Sequence, residues 1–253
     1  MIFQIVVFIA AAVAGSIASI TGFGIGSVLT PLLAASVGTR LAVAAISIPH
    51  LFATALRFWR LRAHVDKAVL IRFGIPSAAG GLTGALLHNV AANRALGVVF
   101  GLLLVFVGVS ELSGLSRRMR FGNVLGLIAG AVSGFFGGLV GNQGGIRSAA
   151  LLGFDLDKQA FVATATATGL LVDAARMPAY FVTQGSAISA IWGIVVIATL
   201  GAAIGTVFGE RVLRLVPERL FRNVVAVLIL ALGVYMTLFA GTVVTDLGAT
   251  VRR

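Results

Sequence analysis

The feature that most constrains this chain is its near-unbroken succession of apolar runs, at 2–20, 25–37, 41–59, 68–88, 95–113, 122–140, 144–154, 159–183, 187–209 and 220–241. Crossing the hydrocarbon of a bilayer takes about 20 apolar residues as a helix. Most runs have that length; 25–37 and 144–154 do not, and each follows a glycine-rich break. With 59% hydrophobic residues, 11% charged and a mean hydropathy of +1.08, the 19 basic and 8 acidic side chains could not screen such a core from water. Lipid requires no such screen, so the chain belongs in a membrane and a soluble enzyme is excluded. The absence of cysteine removes disulfides and thiolate chemistry. The net charge of +11 does not indicate a nucleic-acid partner, because the basic residues sit in short clusters between apolar runs, where they orient a membrane protein. The first run lacks a basic leader and a cleavage site and is read as retained structure.

The chain is also internally repeated. Displacement by 119 residues lays Gly15 on Gly134, Gly22 on Gly141, Gly26 on Gly145 and Arg57 on Arg176. With small length changes Gly80 and Gly84 fall over Gly201 and Gly205, and Gly108 over Gly233. The expected division is a first repeat over 1–115, a basic cytoplasmic linker at 116–120 and a second repeat over 121–253. Loops rich in Lys and Arg stay cytoplasmic. If each long run and its short successor enter and leave on one side, one face collects ten basic residues, namely Arg60, Arg62, Lys67, Arg117, Arg118, Arg120, Lys158, Arg211, Arg214 and Arg219. The opposite face then holds four, Arg40, Arg94, Arg252 and Arg253. A single continuous crossing would split the basic loops at 60–67 and 211–219 between faces, so the hairpin arrangement is preferred, with short segments that either cross or re-enter. The number of net crossings per half is then odd, the second repeat is upside down, and both termini are extracytoplasmic. The fold class expected is an all-α polytopic membrane protein of two inverted repeats, each a glycine-broken helical hairpin plus three transmembrane helices, an architecture of secondary transporters.

Gly80, Gly84, Gly201 and Gly205 read as close-packing residues between helices. The glycines at 22, 24 and 26 and at 141, 144 and 145 differ, since they interrupt helices inside apolar sequence. Exposed backbone is tolerated there only beside protein or a polar cavity, and a helix N-terminus so created suits an anion. The break Gly141-Asn-Gln-Gly-Gly-Ile-Arg147 offers Asn142, Gln143, the N–H groups of Gly144 and Gly145, and Arg147, with no competing carboxylate. Arg147 is either a substrate ligand or a structural cation that satisfies carbonyls. The other break, Thr21-Gly-Phe-Gly-Ile-Gly-Ser27, carries no cation; Gly24 and Gly26 supply N–H groups, and Thr21 and Ser27 offer hydroxyls that also can bond their own helix. Pro31 is expected to end or bend the short segment after it.

Asp173 and Arg176, spaced i, i+3, can pair on one helix face, either as a structural brace or as a proton acceptor beside an anion ligand. Arg57 occupies the repeat position of Arg176, with Thr54 in place of Asp173, and lies near enough to the 60–67 loop to snorkel to the surface. His50, mid-run after Pro49, is the best placed histidine for a proton relay; His64 and His88 lie near loops. No metal site or cofactor is expected, because the histidines have no ligand spacing and no nucleophile–base constellation exists.

The paired glycine breaks, together with Gly141-Asn-Gln-Gly-Gly-Ile-Arg147, Phe161-Val-Ala-Thr-Ala-Thr-Ala-Thr168 and Val216-Pro-Glu-Arg-Leu-Phe-Arg222, resemble the sulfite exporter TauE/SafE family, also called the toluene sulfonate uptake permeases. The resemblance covers almost the whole chain. It implies a small inner-membrane permease for sulfur-containing anions such as sulfite or organosulfonates, in either direction. The second half departs from the pattern in having Ala150 where the first has Pro31. The expected function is a secondary transporter of a small anion. Its cargo would be held by Asn142, Gln143, Gly144, Gly145, Arg147, Gly24, Gly26, Thr21, Ser27 and Arg176, with Asp173 or His50 as proton-coupling residues. One repeat would move against the other around that site. A passive anion channel is the alternative, distinguished by flux insensitive to a proton gradient. A membrane-embedded enzyme and a scaffold without flux are the remaining classes.

Overall fold

A computed structural model of the protein describes residues 2–21, 24–114, 123–142, 144–151, 154, 156–213 and 218–239. The linker expected at 116–120, Gln143, and the basic residues at 117, 118, 120, 214, 252 and 253 lie outside the described residues. Within them the fold is all-helical, as it must be where a lone segment in lipid can satisfy its N–H and C=O groups only internally. Each apolar run becomes one helix: α1 Ile2–Thr21, α2 Ile25–Val37, α3 Thr39–Leu61, α4 Lys67–Val90, α5 Asn93–Leu112, α6 Asn123–Val140, α7 Gly144–Leu151, α8 Lys158–Ala190, α9 Trp192–Leu213 and α10 Glu218–Leu238. Four of them, α1, α3, α4 and α5, are long and apolar enough to cross a membrane among the described residues, and α8 with α9 forms a further pair bent by 101°. A multi-pass membrane protein follows.

Helix ends follow local chemistry. The Asp157 carboxylate accepts from the N–H groups of Gln159 and Ala160, both at 2.8 Å, and so caps α8. Asp66 accepts from Val69 N at 2.9 Å and starts α4 in the same way. Gly38 alone separates α2 from α3, at φ 81°, a left-handed turn that a side chain would strain. Two expectations are corrected. Pro31 does not end its segment but lies inside α2, which runs on to Gly38, where Gly38 N donates to Ala34 O at 2.9 Å. Likewise the runs 159–183 and 187–209 do not part at the polar stretch between them, because α8 continues through it to Ala190. Thr183 Oγ1 donates to Ala179 O at 2.7 Å, so its hydroxyl is satisfied within the helix and gives no reason to break it.

The core is organised by three helix pairs and a central one. α1 packs along α9, α4 along α6 and α5 along α10, while α3 and α8 cross the middle against each other. Side chains on the outer faces are apolar as well, for example Ile2, Ile9, Leu86, Val124 and Val182, as suits a lipid surround. Glycines set the pair spacing. A Cβ on Gly80, Gly84, Gly134 or Gly138 would collide with the carbonyl oxygen of Ala131, Phe135, Ser77 or Gly81, and one on Gly15 or Gly205 with that of Ala202 or Ala12. These backbones touch, as small residues allow in membrane helices. Both pairs run parallel, since residue numbers rise together across them. α5 and α10 run antiparallel, with Gly101 against Thr237 and Gly108 against Leu230. α3 and α8 are also antiparallel: Ser47 meets Met177, His50 meets Asp173 and Arg57 meets Thr166.

These contacts repeat between the halves with one change of register. Gly80 lies on Ala131 as Gly205 lies on Ala12, and Gly134 on Ser77 as Gly15 on Ala202. Packing therefore matches Gly80 with Gly205, one turn from the overlay on Gly201. A glycine at every fourth position fits its own pattern equally well after a one-turn slip, so the sequence alone could not choose. At one end of the bundle Arg40 N donates to Asn93 Oδ1 at 2.8 Å and Arg40 Nη2 to Ala91 O. This brings the turns before α3 and α5 together, consistent with Arg40 and Arg94 on one face.

The glycine contacts generate a direct expectation. Gly138→Ala and Gly205→Ala each lower stability by about 1–3 kcal/mol, the usual range for overpacking, in equilibrium unfolding from mixed micelles. Gly185→Ala, where nothing lies within 4 Å of the added carbon, is neutral or slightly stabilising. Equal losses at all three positions would remove the close-packing argument.

Candidate functional site

Interrupting a helix inside the bundle leaves the carbonyls of its last turn without partners. α1 ends at Thr21 and α6 at Val140, and each is met by an arginine from the central pair. Arg57 Nη1, on α3, donates to Ala18 O; Arg176 Nη1, on α8, donates to Gly137 O at 2.6 Å. Ala18 and Gly137 hold corresponding positions in the two halves, as do Arg57 and Arg176. The same contact therefore recurs at both broken helices, with Gly137 O accepting from Gly141 N at 3.1 Å as well. Tyr180 OH adds a bond to Gly138 O, the adjacent carbonyl of α6.

Around these arginines the halves diverge. Arg176 Nε and Nη2 donate to Asp173 Oδ1 at 3.0 and 2.7 Å, and the other carboxylate oxygen lies 2.7 Å from His50 Nδ1. With the carboxylate ionised it can only accept, so Nδ1 carries a proton. Arg57 has no carboxylate partner among the described residues; its Nε donates to Thr166 Oγ1 at 3.0 Å, and that hydroxyl donates to Val162 O at 2.7 Å. Arg147, from the second turn-length of α7, reaches the same region. A Cβ placed on Gly169 would lie 2.8 Å from Arg147 Nη1 and 3.6 Å from Thr54 Cγ2. Arg147 is also within electrostatic reach of Asp173 and Arg176.

All four charged groups are buried: Asp173 is 0% exposed, Arg147 and Arg176 2% and Arg57 5%. Among the described residues three buried guanidiniums stand against one buried carboxylate, and buried positive charge is expensive unless something offsets it. The glycine breaks converge on this cluster. Gly24 adopts φ 135° and Gly141 φ 76°. A Cβ on Gly26 would lie 2.5 Å from Gly141 O, and one on Gly141 would lie 3.7 Å from Arg176 Nη1.

The structure thus brings together His50, Asp173 and Arg176, and sets the breaks at Gly26 and Gly141 beside them. Asn142 is 5% exposed, and its Nδ2 has no hydrogen-bond partner among the described residues. Ser27 is buried in the first turn of α2, Thr21 is the last residue of α1, and Gly144 and Gly145 begin α7. The snorkelling expected of Arg57 is overturned, because its guanidinium is held inward by Ala18 and Thr166. The repeat overlay of Arg57 on Arg176 carried that signal. Thr54, Gly169 and Tyr180 were not singled out by their chemistry. His88, expected near a loop, is buried, its ring nitrogens 2.7 Å from Leu139 O, in the last turn of α6, and 3.0 Å from Arg40 O; it ties α4 to α6 and α3, and its ring lies edge-on to Tyr180 at 5.1 Å. Among the described residues no three His, Asp or Glu side chains group as metal ligands.

Chemically, the site can hold an anion against an excess of guanidinium charge and can exchange a proton at the His50–Asp173 pair. Residues 7–236 match the family described as TauE: Sulfite exporter TauE/SafE. Neither a curated protein nor a solved structure matches the chain.

Asp173→Ala is expected to cost about 3–5 kcal/mol of unfolding free energy, the penalty for leaving a buried ion-pair partner uncompensated. Asp173→Ala with Arg176→Ala loses less than the sum of the single changes. Additive losses in this double-mutant cycle would mean that the two side chains do not support each other.

Proposed function

This chain belongs to the sulfite exporter TauE/SafE family, a family of membrane transporters rather than enzymes, and on that premise we propose that it is a secondary transporter of a small sulfur-containing oxyanion such as sulfite or an organosulfonate. The observation that carries the reading is the buried cluster itself: Arg57, Arg147 and Arg176 lie around Asp173, the one buried carboxylate among the described residues, at the meeting point of two helix breaks. An anion of one or two charges offsets the surplus, whereas a cation or a neutral solute would leave it in place. Arg147 and Arg176 contribute guanidinium donors, Asn142 an amide donor, and the N–H groups at the start of α2 and α7 the backbone dipole. Gln143, Thr21 and Ser27 remain part of the proposed lining.

The proposal of two inverted repeats is supported by the antiparallel course of α3 against α8 and of α5 against α10, helices that correspond between the halves. Corresponding helices related in this way place the two-fold axis across the helix direction. With the basic loops facing the cytoplasm, the termini fall outside the inner membrane. Alternating access then has a specific mechanical basis. α1 is locked by touching backbones to α9 of the other half, and α6 to α4, so the moving bodies are exchanged sets. One comprises α1, α2, α3 and α9; the other comprises α6, α7, α8 and α4. Their main contact is α3 against α8, where the charged cluster lies. A proton on the His50–Asp173 pair adds a positive charge next to the anion, which couples the two occupancies electrostatically.

Reconstituted into liposomes, the protein is expected to move sulfite or a sulfonate, with flux that responds to an imposed pH gradient. Arg147→Ala lowers that flux by about thirtyfold or more, the equivalent of the 2 kcal/mol or greater loss on truncating a buried charged partner, while remaining folded by circular dichroism. Wild-type flux in the variant rejects the site, and gradient-independent flux in the wild type rejects coupling in favour of a channel.

A further inference from the structure

The two-fold correspondence that places Arg57 on Arg176 and Ala18 on Gly137 also places Thr54 on Asp173 and Gly169 on His50. On one side of the α3–α8 crossing stands a carboxylate–imidazole pair, 2.7 Å apart. On the mate of that position the acid is replaced by a hydroxyl and the imidazole by no side chain at all. The vacated volume is taken by a guanidinium: Arg147 Nη1 lies 2.8 Å from where a Cβ on Gly169 would be, and Thr54 Cγ2 lies 3.6 Å from the same point. Any side chain at 169 would have to displace Arg147.

Thr54 has a second peculiarity. A threonine in a membrane helix ordinarily donates its hydroxyl to the carbonyl one turn back. Thr83, Thr166, Thr183, Thr199 and Thr237 all do so, at 2.7 to 2.9 Å. Thr54, 1% exposed, does not, and its Oγ1 has no hydrogen-bond partner among the described residues; the buried Thr30, Thr168 and Thr206 share this, but Thr54 is the one that lies beside both Gly169 and Arg147 there. A buried hydroxyl left without a partner forfeits stability unless a ligand supplies the missing bond.

Building on the transport reading above, we propose that Thr54 is an anion-binding residue: its hydroxyl and the Arg147 guanidinium, admitted by Gly169, form an oxyanion subsite on the symmetry mate of the His50–Asp173 pair. The broken symmetry divides the labour. One position keeps a carboxylate and can hold a proton; its mate has lost the acid and can hold an oxyanion oxygen without meeting fixed negative charge. The cargo class is an oxyanion with at least two acceptor oxygens, one for the hydroxyl and one or more for the guanidinium fork.

The test uses the full chain, with sulfite as the probe, in proteoliposomes and in thermal unfolding. Thr54→Val, which keeps the shape and removes the donor, is expected to raise KM for sulfite by about tenfold or more, as for loss of a hydrogen bond to a charged group, with a smaller change in kcat. Its ligand-free Tm stays near that of the wild type while the sulfite-induced rise in Tm shrinks. Thr54→Ser, which restores the donor, recovers most of the affinity. Thr54→Asp recreates the missing carboxylate and abolishes the sulfite-induced rise, and Gly169→Ala reduces it by displacing Arg147. An unchanged KM and an unchanged sulfite response in Thr54→Val overturn the proposal, as does an equal loss in Thr54→Val and Thr54→Ser. Should Thr54→Val fail to fold, an undiminished sulfite response in Thr54→Asp overturns it instead. Failure of the transport reading is distinct: the wild type then neither moves sulfite or a sulfonate nor is stabilised by either.

Discussion

A helix that ends inside a packed apolar bundle leaves its last carbonyls without donors from its own backbone, and the centre of this protein is arranged around that constraint. α1 and α6 both end at a glycine break inside the bundle, and α3 and α8 each send an arginine to the last turn, Arg57 to Ala18 and Arg176 to Gly137. Once two guanidiniums are buried for this purpose, the remainder of the site follows by charge compensation. Asp173 balances Arg176, His50 completes the carboxylate's hydrogen bonding, and Arg57 makes do with the Thr166 hydroxyl. Arg147 then adds further positive charge to a region that already has it. Backbone satisfaction and the proposed anion affinity thus draw on the same arginines.

Symmetry explains both the economy of the site and its specialisation. Duplicated helices bring equivalent positions face to face at the α3–α8 crossing, so each substitution in one copy is read against the other. Asp173 opposite His50 and Thr54 opposite Gly169 occupy geometrically matched places with unlike chemistry. Close glycine contacts make this matching rigid. Because α1 and α9 touch along their backbones, as do α4 and α6, each half of the sequence is clamped to the other. Under the proposed alternating access, motion that keeps those contacts opens the α3–α8 crossing rather than separating the sequence repeats.

Much of this was legible beforehand, for reasons that can be named. Among the described residues each of the ten apolar runs became a helix, because hydrocarbon allows a lone segment no other hydrogen-bonded form. The pairing of Asp173 with Arg176 was readable from i, i+3 spacing, and the helix breaks from their glycines. The polar stretch after Thr183 misled, because a hydroxyl bonded one turn back is compatible with a continuing helix; Pro31 does not end α2 although, as its seventh residue, it has no N–H to donate to Ser27 O. Arg57 misled because nearness to a loop in sequence says nothing of where a long side chain finds its acceptor.

What the sequence by itself determined was the medium, the helices, the matched glycine spacing of the two halves and the residue types at the helix breaks. These are set by local composition and by spacing along one helix, which act before the chain is folded. Tertiary structure alone decided the register of the glycine pairs, the inward course of Arg57, the meeting of His50 with Asp173 across 123 positions, and the approach of Arg147 to Gly169 and Thr54. Each of those depends on which faces of separate helices come into contact, and a linear pattern that repeats every turn is satisfied equally well by several such contacts.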